Sequence, residues 1–130
     1  MLAIFDASVF VRALVEREPR AEEWIDRAFG ELEVSVPSLL FAEVANALAG
    51  YVRSGELSAS AADARLEITL RLPHAITDVR ELAPAALRVA VARGLSVYDA
   101  CYVVLAEGQD APLVTADRRL GAAVDRAELL

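Results

Sequence analysis

The chain has 130 residues, 56% of them apolar, with a mean hydropathy of +0.39 and a formal net charge of −7. That length suits one domain, residues 1–130, with a substantial core, and is too short for two. All 13 basic residues are arginine, and His74 and Cys101 are the only histidine and cysteine, which excludes a P-loop lysine, a Schiff-base lysine, a His-rich zinc site and an internal disulfide.

The six glycines never form the G-x-G-x-x-G fingerprint. No stretch supplies the ~18 uninterrupted apolar residues of a membrane span, and no charged leader precedes the first apolar run. A cytoplasmic protein is therefore expected, and the lone cysteine fits a reducing compartment. The acidic balance argues against a broad basic surface for nucleic acid. It leaves room for an enzyme whose metal ions neutralise the local field.

In chain order, residues 2–5 read as a strand buried on both faces. Helices are predicted over 7–15 and 20–29, the second with Trp24, Ile25, Ala28 and Phe29 on one face. A strand over 34–36 precedes Pro37, and the clearest helix, 38–53, ends just before Gly55 at a C-cap position. A helix over 58–70 and a short strand over 75–77 follow. Then come a helix over 85–92 closed by Gly94 and one over 98–107 closed by Gly108. A strand over 113–115, a helix over 116–124 and an edge strand near Leu129 complete the pattern. Strands alternating with helices imply βαβ units, an α/β class and a mostly parallel sheet covered on both sides. In such sheets ligands bind beyond the carboxyl ends of the strands.

Four carboxylates stand in otherwise apolar surroundings. Asp6 closes the first strand, Glu43 interrupts the stripe of Leu39, Leu40, Val44, Ala47 and Leu48, Asp99 precedes a long apolar run, and Asp117 follows Leu113-Val114-Thr115. Asp6 and Asp117 have an ordinary explanation as helix N-caps. Ser96 to Asp99 matches a capping box. Glu43 lies far from either end of its helix, so capping is closed to it; its bland alternatives are snorkelling or pairing with an arginine. Gathered in one pocket, the four would repel one another unless a divalent cation were present. Hard cations such as Mg²⁺ prefer such oxygen ligands. Two ions ~4 Å apart activate water and stabilise the leaving oxygen of a phosphodiester. Ser8, Asn46 and Thr115 lie within four residues of an acid and are candidates to orient a carboxylate or a water.

Asp6-Ala7-Ser8, Glu43-Val44-Ala45-Asn46, Tyr98-Asp99-Ala100 and Thr115-Ala116-Asp117, in that order, resemble the PIN domain. In length and motif order the chain resembles the VapC toxins of bacterial and archaeal toxin–antitoxin pairs. The resemblance implies a three-layer α/β/α fold and Mg²⁺- or Mn²⁺-dependent endoribonuclease chemistry. It maps Asp6, Glu43, Asp99 and Asp117 onto the family's acidic quartet, as metal ligands and catalytic groups, and Ser8, Asn46 and Thr115 onto its polar support positions. It also implies an RNA substrate, a homodimer, and a cognate antitoxin whose C-terminal segment lies along a groove of the toxin.

With no lysine, phosphate contacts must come from arginines, and Arg118 and Arg119 lie nearest the acids in sequence. Trp24, Phe29 and Tyr51 are read as core or interface residues, Cys101 as a small core residue, and His74 carries no assigned chemistry. Two rival functions are a receiver-like Mg²⁺-binding signalling domain and a PIN-like binding protein without catalysis. The first normally uses a lysine that is absent here, and the intact acidic set argues against the second.

Overall fold

The computed structural model describes residues 1–130. Each short apolar run becomes a strand: β1 (Leu2–Phe5), β2 (Glu33–Pro37), β3 (Ala75–Thr77), β4 (Leu113–Thr115) and β5 (Ala127–Leu129). They pair in the order β3-β2-β1-β4-β5, and every pairing is parallel. Ile4 registers against Ser35 on one side and Leu113 on the other, so β1 is central. Ala3, Ile4 and Phe5 have no exposed surface, as a strand covered on both faces requires.

Seven helices connect the strands: α1 (Ala7–Leu14), α2 (Pro19–Ala28), α3 (Leu39–Arg53), α4 (Ala59–Arg71), α5 (Val79–Arg93), α6 (Val97–Gly108) and α7 (Arg118–Ala122). The chain steps outward from β1 through β2 to β3, then returns past β1 to β4 and β5. Right-handed crossovers put α1–α4 on one face and α5–α7 on the other, a three-layer α/β/α sandwich. In agreement, α1 packs on α2 and α3, α3 packs on α4, and α5 packs on α6, which lies against β1, β2 and β4. The direction of stepping reverses between β1 and β4, the position where open parallel sheets open a crevice at their carboxyl ends.

A single cluster of 29 buried apolar residues joins the layers. Its densest contribution is α6, where Ala100, Cys101, Tyr102, Val103, Leu105 and Ala106 are all buried. No single helix is long and apolar enough to cross a membrane.

Three helix boundaries differ from the sequence expectation. α5 begins at Val79 rather than at residue 85, and Pro84 lies inside it. Its start is fixed by Asp78, whose Oδ1 accepts from the Arg80 N–H at 2.8 Å, so the helix is nucleated before the proline and forgoes one backbone donor there. Gly108 is the last residue of α6 and not its stop; the left-handed residue is Asp110, at φ 49°. α7 is confined to five residues because Asp117 caps it and Ala123 ends it. Gly55 does end α3 as expected. At φ 81° its N–H donates to Val52 O, and that of Glu56 donates to Tyr51 O, the paired bonds of a Schellman motif.

Among the singled-out aromatics, Trp24 packs edge-on against Phe5, with centroids 6.1 Å apart, and carries the Arg27 guanidinium 4.2 Å above its ring. Tyr51 is half-buried, whereas Phe29 is 71% exposed. His74 extends the β2–β3 pairing: its N–H donates to Val34 O at 2.8 Å, and its Nδ1 accepts from the Val34 N–H at 2.9 Å.

Candidate active site

Beyond the carboxyl ends of β1 and β4, backbone and side chains lock into one network around Asp6. Its backbone N–H donates to Val114 O at 3.3 Å, fastening the first strand to the fourth at the reversal point. As N-cap of α1, its Oδ1 accepts from the Ser8 N–H at 3.0 Å and from the Ser8 hydroxyl. Its Oδ2 accepts from Thr115 Oγ1 at 2.5 Å. Both hydroxyls are oriented by what they accept: Ser8 Oγ takes the Ala116 N–H at 2.9 Å and Thr115 Oγ1 takes the Asp117 N–H at 3.0 Å. Each therefore has its own hydrogen committed to Asp6. Asp6 is 7% exposed and Thr115 fully buried.

These donors do not outweigh desolvation. Burial pushes the Asp6 carboxyl above its ordinary range, against the opposing hydrogen bonds from Ser8 and Thr115. Glu43 behaves alike. It sits half-buried on the flank of the α3 stripe formed by Leu40, Val44 and Leu48. Burial raises its carboxyl, a hydrogen bond from Tyr102 lowers it, and the charges of Asp6 and Asp99 raise it further. Asp99 is raised by burial and then by the charge of Asp117, with Ser96 and Arg119 opposing. The repulsion runs from Asp6 to Glu43 to Asp99 to Asp117, so the fold brings the four acids of the sequence into one electrostatic neighbourhood.

The capping alternatives resolve separately. Asp6 caps α1 and Asp117 caps α7, with Asp117 Oδ1 accepting from the Arg119 and Leu120 N–H groups. Asp117 is exposed. At α6 the cap is Ser96, whose Oγ accepts from the Asp99 N–H at 3.0 Å. The Asp99 carboxylate takes no backbone donor in return, so half of the capping box is missing and no backbone N–H claims its oxygens. Asn46 is exposed and makes no hydrogen bond to any of the four acids. Tyr102, which the sequence reading leaves inside the apolar run after Asp99, is instead a polar partner: its hydroxyl donates to Glu43 Oε1 at 2.5 Å. The only sequence signal for it is its i+3 spacing from Asp99, which places both on one side of α6.

Among the arginines, Arg12 pairs with Glu18 and Arg17 with Glu22. Arg20 donates to Leu129 O. Arg119 is anchored to Gly94 O at 2.6 Å. Arg118 is exposed and makes no such bond.

No three His, Cys, Asp or Glu side chains are closed into a ready cation cage. The donor set still fits a hard cation, because Mg²⁺ keeps several waters and needs only one or two carboxylates. Glu43 Oε2 and both Asp99 oxygens are unclaimed by protein N–H donors. Mutual repulsion among desolvated acids is the condition a cation relieves.

The PIN domain family matches residues 3–125. Ribonuclease VapC1 of Mycobacterium tuberculosis is 38% identical over 91 residues, covering 68% of this chain and 66% of that protein, so the match spans just under two thirds of that relative's length. Ribonuclease VapC3 of Pyrobaculum aerophilum is 35% identical over 123 residues, 92% of each chain. In structure, the chain is similar to VapBC2 of Rickettsia felis, crystallised with a DNA fragment from its promoter; the TM-score is 0.71 at 16% identity, over 100% of this chain and 99% of that one. The family match over residues 3–125 and the resemblance to a VapC ribonuclease over 92% of each chain establish that this chain belongs to the PIN-domain family.

Proposed function

We propose that this chain, acting as one PIN-like domain over residues 1–130, is a metal-dependent endoribonuclease toxin of the VapC type, held inactive by a cognate antitoxin. The observation that carries this reading is that Asp6, Glu43, Asp99 and Asp117 lie within electrostatic reach of one another, with Asp6 and Asp117 just beyond the carboxyl ends of the paired strands β1 and β4. The two ribonuclease names among its relatives support the reaction class.

Asp6, Glu43 and Asp99 would hold the ion, Mg²⁺ or Mn²⁺, and Asp117 would assist from the rim. When bound, the ion supplies the positive charge that keeps the acids ionised and polarises the phosphodiester and the attacking water. Ser8 and Thr115 fix the Asp6 carboxylate from both sides. Glu43 has one oxygen held by Tyr102 and one free to accept a proton or a ligand. Arg118 is free to meet an RNA phosphate, whereas Arg119 is held by Gly94 and acts on Asp99 at a distance.

Two surfaces support partners. An apolar groove of about 350 Å³ between α3 and α4, lined by Ala45, Leu48, Ala49, Val52, Ala62 and Leu66, suits an apolar antitoxin segment, and the VapBC2 complex is a precedent for such a pair. Leu87, Val91 and Tyr98 are 58%, 79% and 68% exposed, and an exposed apolar set of this kind supports a homodimer in which a second copy would cover it.

The test is cleavage of total RNA by the purified chain with Mg²⁺ or Mn²⁺, with and without chelator. Cleavage that stops with chelator and in Asp6→Asn or Asp99→Asn is expected. Cleavage persisting in chelator or in both variants would overturn the proposal.

A further inference from the structure

We propose that Tyr102 is a positioning residue for Glu43: a phenol fixed in the core that holds one oxygen of a long, uncapped carboxylate side chain so that the other stays presented to the metal. It rests on the metal-site reading above and deepens it.

Tyr102 is 1% exposed and is the largest of the fully buried side chains. Its neighbours along α6 are Cys101 and Val103, and nothing in that apolar setting calls for a hydroxyl. A phenylalanine would fill the same volume without a polar atom to satisfy. A buried phenol requires a partner, and the one this hydroxyl has is Glu43 Oε1 at 2.5 Å. The bond joins α6 to α3, 59 residues apart in sequence, so it is not a local accident of either helix.

Glu43 is the acid that most needs such help. Asp6 and Asp117 are short side chains clamped by cap hydrogen bonds. Glu43 has one more rotatable bond, lies mid-helix and is half-buried, so it has no cap to hold it, and its rotamer freedom opposes any single placement. Ser8 and Thr115 each donate a hydroxyl to Asp6; Tyr102 does the same for Glu43 from the opposite wall. Its ring is locked by packing, so the donor position is fixed before any ligand arrives. Outer partners that orient metal ligands in this way typically contribute 10–100-fold in metal affinity.

The test is a double-mutant cycle on Mn²⁺ affinity, read from the electron paramagnetic resonance signal of free Mn²⁺ in wild type, Tyr102→Phe, Glu43→Gln and the double variant. Apo melting curves confirm that each is folded; Tyr102→Phe keeps the ring and the core volume. The expected result is a Kd weakened about tenfold by Tyr102→Phe, and no further weakening when the same change is made in Glu43→Gln. A Tyr102→Phe Kd within about twofold of wild type, or an undiminished effect in the Glu43→Gln background, would overturn the inference and leave the metal site standing. Absence of Mn²⁺ binding by the wild type would overturn the metal site and this inference together.

Discussion

Replacing Thr115 by valine separates the hydrogen-bond network from packing. The residue is fully buried, its hydroxyl donates to Asp6 Oδ2 at 2.5 Å, and it accepts the Asp117 N–H at 3.0 Å. Valine keeps the shape and removes both bonds. A hydrogen bond to a charged group contributes roughly 1.5–3 kcal/mol, and an orphaned N–H adds about 1 kcal/mol. The expected loss at neutral pH is therefore about 3 kcal/mol. With an unfolding entropy of about 2.1 cal/mol/K per residue, a chain of 130 residues loses about 11 °C in Tm. Thr115→Ser keeps the hydroxyl and loses a methyl group, worth about 1 kcal/mol, or about 4 °C. The sign with pH is also set. The Thr115 bond favours the ionised Asp6 carboxyl, whose folded value is nonetheless raised by burial, so its contribution is full only above that raised value and fades as acidification protonates the carboxyl. Thermal melts of the two variants at neutral and acid pH check this. Equal losses for valine and serine, or a valine loss unchanged by acid, would refute the account of Thr115 as an electrostatic donor.

Asp6 itself gives the opposite net trend. Its folded carboxyl is raised by burial, so the stability it contributes is full below the unfolded value, near pH ~4, and is lost as pH rises through the folded value. The melting point of metal-free wild type minus that of Asp6→Asn should therefore fall steadily as the buffer moves from pH ~4 to neutrality; a flat or rising difference would contradict the desolvation argument. The two arginines beside the site should separate by assay. Arg119→Ala breaks the 2.6 Å bond to Gly94 O and should lower Tm by about 4 °C, the equivalent of roughly 1 kcal/mol. Arg118→Ala, with no bond to lose, should leave Tm unchanged and reduce the salt dependence of RNA binding by about one unit of slope.

Much of the fold is legible because strand burial is a local signal. Leu2 to Phe5 and Leu113 to Thr115 are short apolar runs that could only be covered on both faces, and their chain order with the helices requires a parallel sheet. The acids at their ends were legible for the same reason: a carboxylate directly after a buried strand is placed by topology at the ligand edge. What local pattern does not carry is long-range pairing. The apolar pattern places a helix only over 85–92, yet Asp78 starts α5 six residues before Pro84, and the packing of α5 on α6 offsets the one donor lost at the proline. Tyr102 hides in an apolar run because its partner is 59 residues away. Asn46 shows the converse. Its helical spacing from Glu43 suggests a shared site, but the side chain is exposed. In the fold Arg12, Arg17 and Arg20, on and between α1 and α2, are taken up by Glu18, Glu22 and the Leu129 carbonyl.

The site also explains a tension in composition. An acidic chain without lysine is a poor general binder of RNA, whereas a group of repelling acids is the setting in which a bound cation is favoured. Affinity for a phosphodiester would then depend on the cation more than on surface charge, and Arg118 would add a single contact at the rim.

The most direct measurement is the thermal midpoint with and without Mn²⁺ for wild type, Asp6→Asn and Asp99→Asn. A ligand at a hundredfold excess over Kd stabilises by ~2.7 kcal/mol, which for this chain is a rise of about 10 °C. The account predicts that rise in the wild type and a much smaller one in either variant. A wild type indifferent to Mn²⁺, or variants that respond as fully as the wild type, would contradict the claim that these carboxylates form a metal site.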